Sequence, residues 1–103
     1  MADGFVRRAD HVVWKVVHGK ALLLNLNSGA YFDISPVGLM LWKLCDGEKK
    51  NEKIILLASR RFKITPERIK KDAYCFINDL KRNKLVEVIS KPTRAAKPHS
   101  LKR

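Results

Sequence analysis

Three histidines, two cysteines and five glycines are the residues from which this sequence would have to build catalysis, metal binding or a phosphate site. His11, His18 and His99 fall in a terminal segment, a turn and the tail. None has an acid or a cysteine at helical spacing, so no nucleophile–base–acid arrangement can be nominated. Cys45 and Cys75 stand 30 residues apart. A metal there would need two further ligands that the chain does not offer, and one such pair makes no disulfide framework. Both cysteines are expected to be small, reduced core residues. Gly19, Gly29, Gly38 and Gly47 stand singly, which excludes a glycine-rich phosphate loop. The sequence therefore reads as a non-enzyme without a cofactor or metal, and binding is the route to function that remains.

Charge suggests one kind of binding. Lys and Arg number 22 against 10 Asp and Glu, giving +12 and a pI of about 10.1, which invites a nucleic-acid partner. Location weakens that reading. Five of the basic residues (Lys91, Arg94, Lys97, Lys102, Arg103) lie in a final segment with no acid, leaving residues 1–90 with 17 basic against 10 acidic, or +7. A small winged-helix nucleic-acid-binding protein is the alternative that charge supports. Against it, the third helix balances Arg68, Lys70, Lys71, Lys81 and Arg82 with Glu67, Asp72 and Asp79, unlike the basic, amide-studded face of a base reader.

The elements that must position any binding site follow from pattern. A chain of 103 residues, 46% hydrophobic and 31% charged, is one small domain. Residues 1–10 are expected to be a flexible segment, 11–90 the domain and 91–103 a disordered basic tail, since the tail contains Pro92, Pro98 and little to bury. No apolar run approaches a membrane span, and the first ten residues lack a secretory core, so a soluble cytoplasmic protein without a membrane partner is expected.

Val12 to Val17 (VVWKVV) is a β-branched strand followed by a His18-Gly19 turn. Ala21 to Leu26 and Ala30 to Ile34 continue it, across the Asn27-Ser28-Gly29 turn, as an antiparallel meander whose outer strands present edges. Ser35-Pro36 starts a helix, with Val37, Met40, Leu41, Leu44 and Cys45 as its apolar stripe and Asp46-Gly47 as its stop. Leu39 and Trp42 lie off that stripe, so this helix is either sandwiched or a docking surface. Asn51 is a candidate cap for a second helix to Phe62, and Thr65-Pro66 opens a third to about Arg82, with Ile69, Ala73, Phe76, Ile77 and Leu80 on one face. Leu85 to Ile89 is a last strand or strap. Three strands in a meander followed by three helices make an α+β, winged-helix-like domain.

Val13 to Val86 resembles the PqqD-like family, the leader-peptide-binding domains (RiPP recognition elements) of ribosomal peptide natural-product biosynthesis. The resemblance rests on LLLNLNSGAYFDISPVGLMLW (Leu22 to Trp42), LCDG (Leu44 to Gly47) and DAYCFINDL (Asp72 to Leu80) followed by Leu85-Val86. Within the first of these, LNSGAYFDISPVG (Leu26 to Gly38) looks more like the broader family and its lasso-peptide members than like the pyrroloquinoline quinone protein itself, whereas LCDG is at home in either. Family members commonly carry glycine where this chain has Lys84, which leaves the exit from the third helix open to differ.

What the resemblance implies is a non-catalytic peptide chaperone. It would bind a precursor's leader as an added antiparallel strand and present it to a separate maturation enzyme, such as a leader protease or a radical S-adenosylmethionine enzyme. The implied site is the strand Ala30, Tyr31, Phe32, Asp33 and Ile34, with Arg68, Lys71, Asp72, Cys75, Phe76 and Asp79 on the facing helix. An exposed edge is a template for strand addition, and side chains must supply the selectivity. Each residue also has a plainer reading. One of Tyr31 and Phe32 faces the core, Phe76 could be ordinary packing, Asp72 could pair with a neighbouring lysine, and Arg68 and Lys71 could be a solvated face.

Overall fold

The computed structural model describes residues 4–94. Its elements run β1 (Phe5–Arg8), β2 (Val12–Val17), β3 (Lys20–Asn25), β4 (Tyr31–Ile34), α1 (Pro36–Leu44), β5 (Asp46–Lys50), α2 (Asn51–Phe62), α3 (Pro66–Arg82) and β6 (Val86–Ile89). The meander and the three helices are those expected, and a second antiparallel sheet, ordered β5-β1-β6, joins the sheet ordered β2-β3-β4.

Local chemistry sets the first sheet. His18 and Gly19 both take positive φ (52° and 79°), as the tight hairpin between β2 and β3 requires. Asn25 organises the next turn. It is 4% exposed, its Oδ1 accepts the amides of Asn27 (2.9 Å) and Ser28 (3.2 Å), and its Nδ2 donates to the carbonyl of Asn83 (3.2 Å). One buried amide thus shapes the turn into β4 and ties it to the end of α3. Leu24 pairs with Tyr31, Leu23 with Phe32, Leu22 with Asp33 and Ala21 with Ile34. Ala21 and Leu23 are buried, so Phe32 and Ile34 face the core while Tyr31 and Asp33 face outward.

Helix α1 starts as its sequence indicates, with Ser35 Oγ accepting the Gly38 amide at 3.1 Å. Its buried face is Gly38, Leu39, Leu41 and Trp42, continued by Cys45; of the expected stripe Leu41 and Cys45 are buried, Met40 and Leu44 are only partly so, and Val37 is not. Gly38 is the reason: a Cβ there would sit 3.1 Å from the Phe76 ring and 3.3 Å from Ile34 Cβ. The bare Cα lets that side of α1 close on α3 and β4, which turns Val37 out to 48% exposure. Burial of Leu39 and Trp42 makes α1 the sandwiched helix.

The N-terminal segment corrects an expectation. Phe5–Arg8, read as part of a flexible end, is the central strand of the second sheet, pairing with both β5 and β6. Val6 is 1% exposed. The Arg8 guanidinium donates to the carbonyls of Trp42 (3.1 Å) and Lys43 (2.9 Å) and lies near the Trp14 and Trp42 rings, so it caps the last turn of α1. FVRR is too short and too charged to advertise a strand, and its partners are some 40 and 80 residues away. The start of the tail is also placed. The Thr93 amide donates to the Gly47 carbonyl (3.0 Å) and Arg94 pairs with Glu48 (2.9 Å). The disorder expected of residues 95–103 falls outside the described residues.

One helix end differs from expectation, and one left open keeps the usual geometry. Asn51, proposed as a cap, is the first residue of α2, and Lys50 occupies the cap position without a side-chain bond. Lys84, standing where a glycine is common, adopts φ 61°, so the exit from α3 keeps a glycine-type conformation at the modest cost of a left-handed L-residue. The His11 ring, hydrogen-bonded through Nε2 to the Lys84 carbonyl at 2.8 Å, braces that turn.

Candidate functional site

Strand β4 is the edge of its sheet, and its register says which backbone groups are free. The amide of Asn25 donates to the Ala30 carbonyl at 3.0 Å. Bonded and non-bonded pairs alternate along an antiparallel ladder. Phe32 and Ile34 therefore turn their N–H and C=O groups to β3, while Tyr31 and Asp33 turn theirs to the open side. Ala30 belongs to the turn instead, since its carbonyl holds Asn25 and its amide donates to Ser28 Oγ at 3.2 Å. The open edge thus begins at Tyr31, one residue later than the expected segment.

Across from this edge, α3 buries Ile69, Ala73, Ile77 and Leu80. Phe76 is half-buried against the core, with its ring over Gly38 beside Ile34. It is both packing and wall. Cys75, Asp72 and Asp79 are exposed on the neighbouring turns, as are Arg68 and Lys71. Asp79 lies 4.0 Å from Arg82. Asp72 makes no ion pair among the described residues, so the expected alternative of a lysine partner within the helix is not what it adopts. The exposure of Cys75 corrects its assignment to the core, because its position on α3 points away from the Ile69–Leu80 stripe.

Where α1, the α2–α3 turn and the first half of α3 meet, a cleft of about 580 Å³ opens. Val37, Leu41, Phe62, Ile64 and Ile69 give it apolar walls, and Lys63, Arg68 and Asp72 give it charge. Of the residues expected from sequence, Arg68 and Asp72 reach this cleft and Lys71 does not line it. Val37, Phe62 and Ile64 were missed as site residues. The available signal was Ile64, an apolar residue stranded in a turn, and it is 41% exposed. Lys63 takes φ 57° to close that turn, which carries Ile64 to the cleft.

The buried cysteine is not poised as a nucleophile. The Cys45 thiol donates to the Leu41 carbonyl at 3.3 Å, and burial pushes its pKa up to about 12, so it stays protonated and inert. Among the described residues, no three His, Cys, Asp or Glu side chains gather as metal ligands, and no helix is long and apolar enough to cross a membrane. The arrangement is an open strand edge, an aromatic wall and an apolar cleft with charges at its rim, which suits an extended peptide.

Comparison with known proteins agrees. Residues 20–86 match the model of the family described as coenzyme PQQ synthesis protein D (PqqD). Among solved structures, TbiB1 in complex with the TbiA(beta) leader peptide is 25% identical, with a TM-score of 0.72 over 82% of this chain and 99% of that one. A lasso peptide synthetase B1 complexed with its leader peptide shares the fold at 17% identity, with a TM-score of 0.67 over 81% of this chain and 98% of that one. No curated protein sequence matches the chain.

Proposed function

The chain belongs to the PqqD family, and from that membership we infer that it binds the leader region of a ribosomally made precursor peptide and presents it to a separate maturation enzyme. The observation that carries this reading is the free edge of β4 beside Phe76 and the apolar cleft, in a fold shared with a leader-peptide complex. The binding residues are Tyr31 and Asp33 through their backbones, and Phe76, Arg68, Asp72, Cys75 and Asp79 through the groove side of α3. Lys71 acts only through its charge. The partner enzyme is a leader protease or a tailoring enzyme such as a radical S-adenosylmethionine enzyme, and the setting is the cytoplasm.

Magnitudes are consistent with this division. Four backbone groups on Tyr31 and Asp33 at a net ~0.5 to 1.5 kcal/mol each give roughly 2 to 6 kcal/mol. Micromolar affinity corresponds to about 8 kcal/mol. Burial of one or two apolar anchors, at about 1.5 to 3 kcal/mol each, supplies the difference. Strand polarity says where an anchor goes. An antiparallel peptide has its N-terminal end at Ile34, next to Val37 and the cleft, so its upstream residues meet apolar walls rimmed by Lys63 and Arg68.

Titrating a fluorescent leader peptide and a DNA duplex between 50 and 200 mM salt tests the reading. Nucleic-acid binding through 6 to 10 phosphates would weaken about a thousandfold or more over that range. The leader is expected to bind at micromolar or better and to weaken far less. Steeply salt-dependent DNA binding with no peptide binding would overturn the reading in favour of a nucleic-acid protein.

A further inference from the structure

Helices α2 and α3 leave a groove of about 350 Å³ on the flank of α3 away from the apolar cleft. Ile55, Leu56, Pro66 and Tyr74 give it apolar walls, and the exposed Glu52 and Glu67 stand at its rim. The groove and the cleft share no residue. Glu67, Lys70 and Tyr74 recur at i, i+3 and i+7 on one side of α3, whereas Arg68, Asp72, Cys75 and Asp79 follow another. Charge sets this groove apart on a chain at +12. Nine Asp and Glu residues lie within residues 4–94. Five of them (Asp10, Asp46, Glu48, Asp79 and Glu87) make ion pairs. Two of the other four, Glu52 and Glu67, meet here without an ion pair among the described residues. Lys70 does not neutralise them, since its ammonium lies over the Tyr74 ring, 5.9 Å from the centroid.

The described chain ends beside this groove. The Thr93 amide bonds to the Gly47 carbonyl and Arg94 pairs with Glu48, so the chain is led along β5 toward the first turn of α2, which carries Glu52. Gly47 allows the close approach: its φ is 87°, and a Cβ there would collide with the Thr93 carbonyl oxygen. Glu48 and Glu52 are four residues apart, at most about 14 Å. The nine residues beyond Arg94, AAKPHSLKR, reach up to about 30 Å when extended. They carry Lys97, Lys102 and Arg103, with Leu101 as their one large apolar side chain. We propose that this segment, residues 95–103, docks in the α2–α3 groove, with Leu101 against Leu56 and Tyr74 and its cations against Glu52 and Glu67. The tether sets an effective concentration on the order of millimolar, so contacts too weak to hold separate molecules suffice. Docking covers the apolar walls and holds the cationic terminus on the flank of α3 away from the leader groove. There it neither fills that groove nor stands free to gather polyanions. Docking of the tail requires no bound leader.

NMR relaxation and NOE spectra of the full-length protein at low salt test this docking. In the wild type, residues 99–102 are expected to have backbone order parameters above about 0.6, the level below which a backbone counts as flexible, with NOEs from the Leu101 methyls to the Tyr74 ring. Glu52→Lys/Glu67→Lys should bring the order parameters below about 0.6 and erase the NOEs. Lys97→Glu/Lys102→Glu/Arg103→Glu, which leaves residues 4–94 untouched, should do the same. Combining the two sets should restore both signals, because the pairs re-form with their signs exchanged. Circular dichroism separates undocking from unfolding, and the tail variant carries the test alone if the helix variant does not fold. Order parameters below about 0.6 in the wild type would overturn the proposal. So would NOEs from Leu101 to Tyr31 or Phe76 in place of Tyr74, or a combined variant that restores nothing. NOEs that vanish on dilution would assign the contact to the tail of a second copy and overturn it as well.

Discussion

Strands β2 and β4 are the two margins of one sheet, and both leave backbone groups unpaired among the described residues. They are not equivalent. The bond from the Leu26 amide to the His11 carbonyl sets the alternation along β2, so that Trp14 and Val16 face its open side as Tyr31 and Asp33 do on β4. Trp14 packs edge-on against Trp42 with ring centroids 5.9 Å apart, and Val16 is 46% exposed. Beside β4, α3 brings up Phe76, and the apolar cleft opens past Ile34. An open edge offers any extended chain the same ladder, and the flanking side chains decide which edge is used and by what sequence.

Proline substitutions break this comparison position by position. Phe32→Pro should have the largest effect. It removes an amide bonded to β3 and deletes a ring packed against the core, and large-to-small aromatic losses cost about 3 to 5 kcal/mol. The expected outcome is loss of cooperative thermal unfolding by circular dichroism. Asp33→Pro places the same ring one residue along, where the amide faces the open side. The protein should remain folded, and leader affinity should fall about tenfold, which corresponds to about 1.4 kcal/mol. Val16→Pro is the matched change on the other margin. It should leave both the fold and the leader titration near those of the parent; a tenfold loss there would mean that β2 is the binding edge. Adding salt should have a still smaller effect on discrimination between the two edges, because Arg68 and Lys63 act over a Debye length that shrinks to about 8 Å at physiological ionic strength. Leader affinity is expected to change by less than tenfold between 50 and 200 mM salt, with the Asp33→Pro deficit unchanged.

The meander, the helices and the open edge were legible because each rests on local signals: β-branched runs, His18-Gly19, Ser35-Pro36 and the period of α3. The second sheet was not, because β1 and β5 are short, charged and paired over long sequence distances. The site was half legible. Alternation showed that Tyr31 and Phe32 must face opposite sides, yet only the buried partners Leu23 and Ala21 decide which is inward. Val37 was assigned to a core stripe because periodicity cannot register that Gly38 lets α1 roll toward Phe76. Ile64 reached the cleft through the backbone of Lys63, a residue type that gives no hint of a left-handed turn.

Amide hydrogen exchange by NMR, with and without leader peptide, tests the central claim most directly. The Tyr31 and Asp33 amides are expected to gain strong protection on binding, with Phe32 already protected in the free protein and Trp14 and Val16 unchanged. Protection that appears at Trp14 and Val16 while Tyr31 and Asp33 stay open would contradict the account.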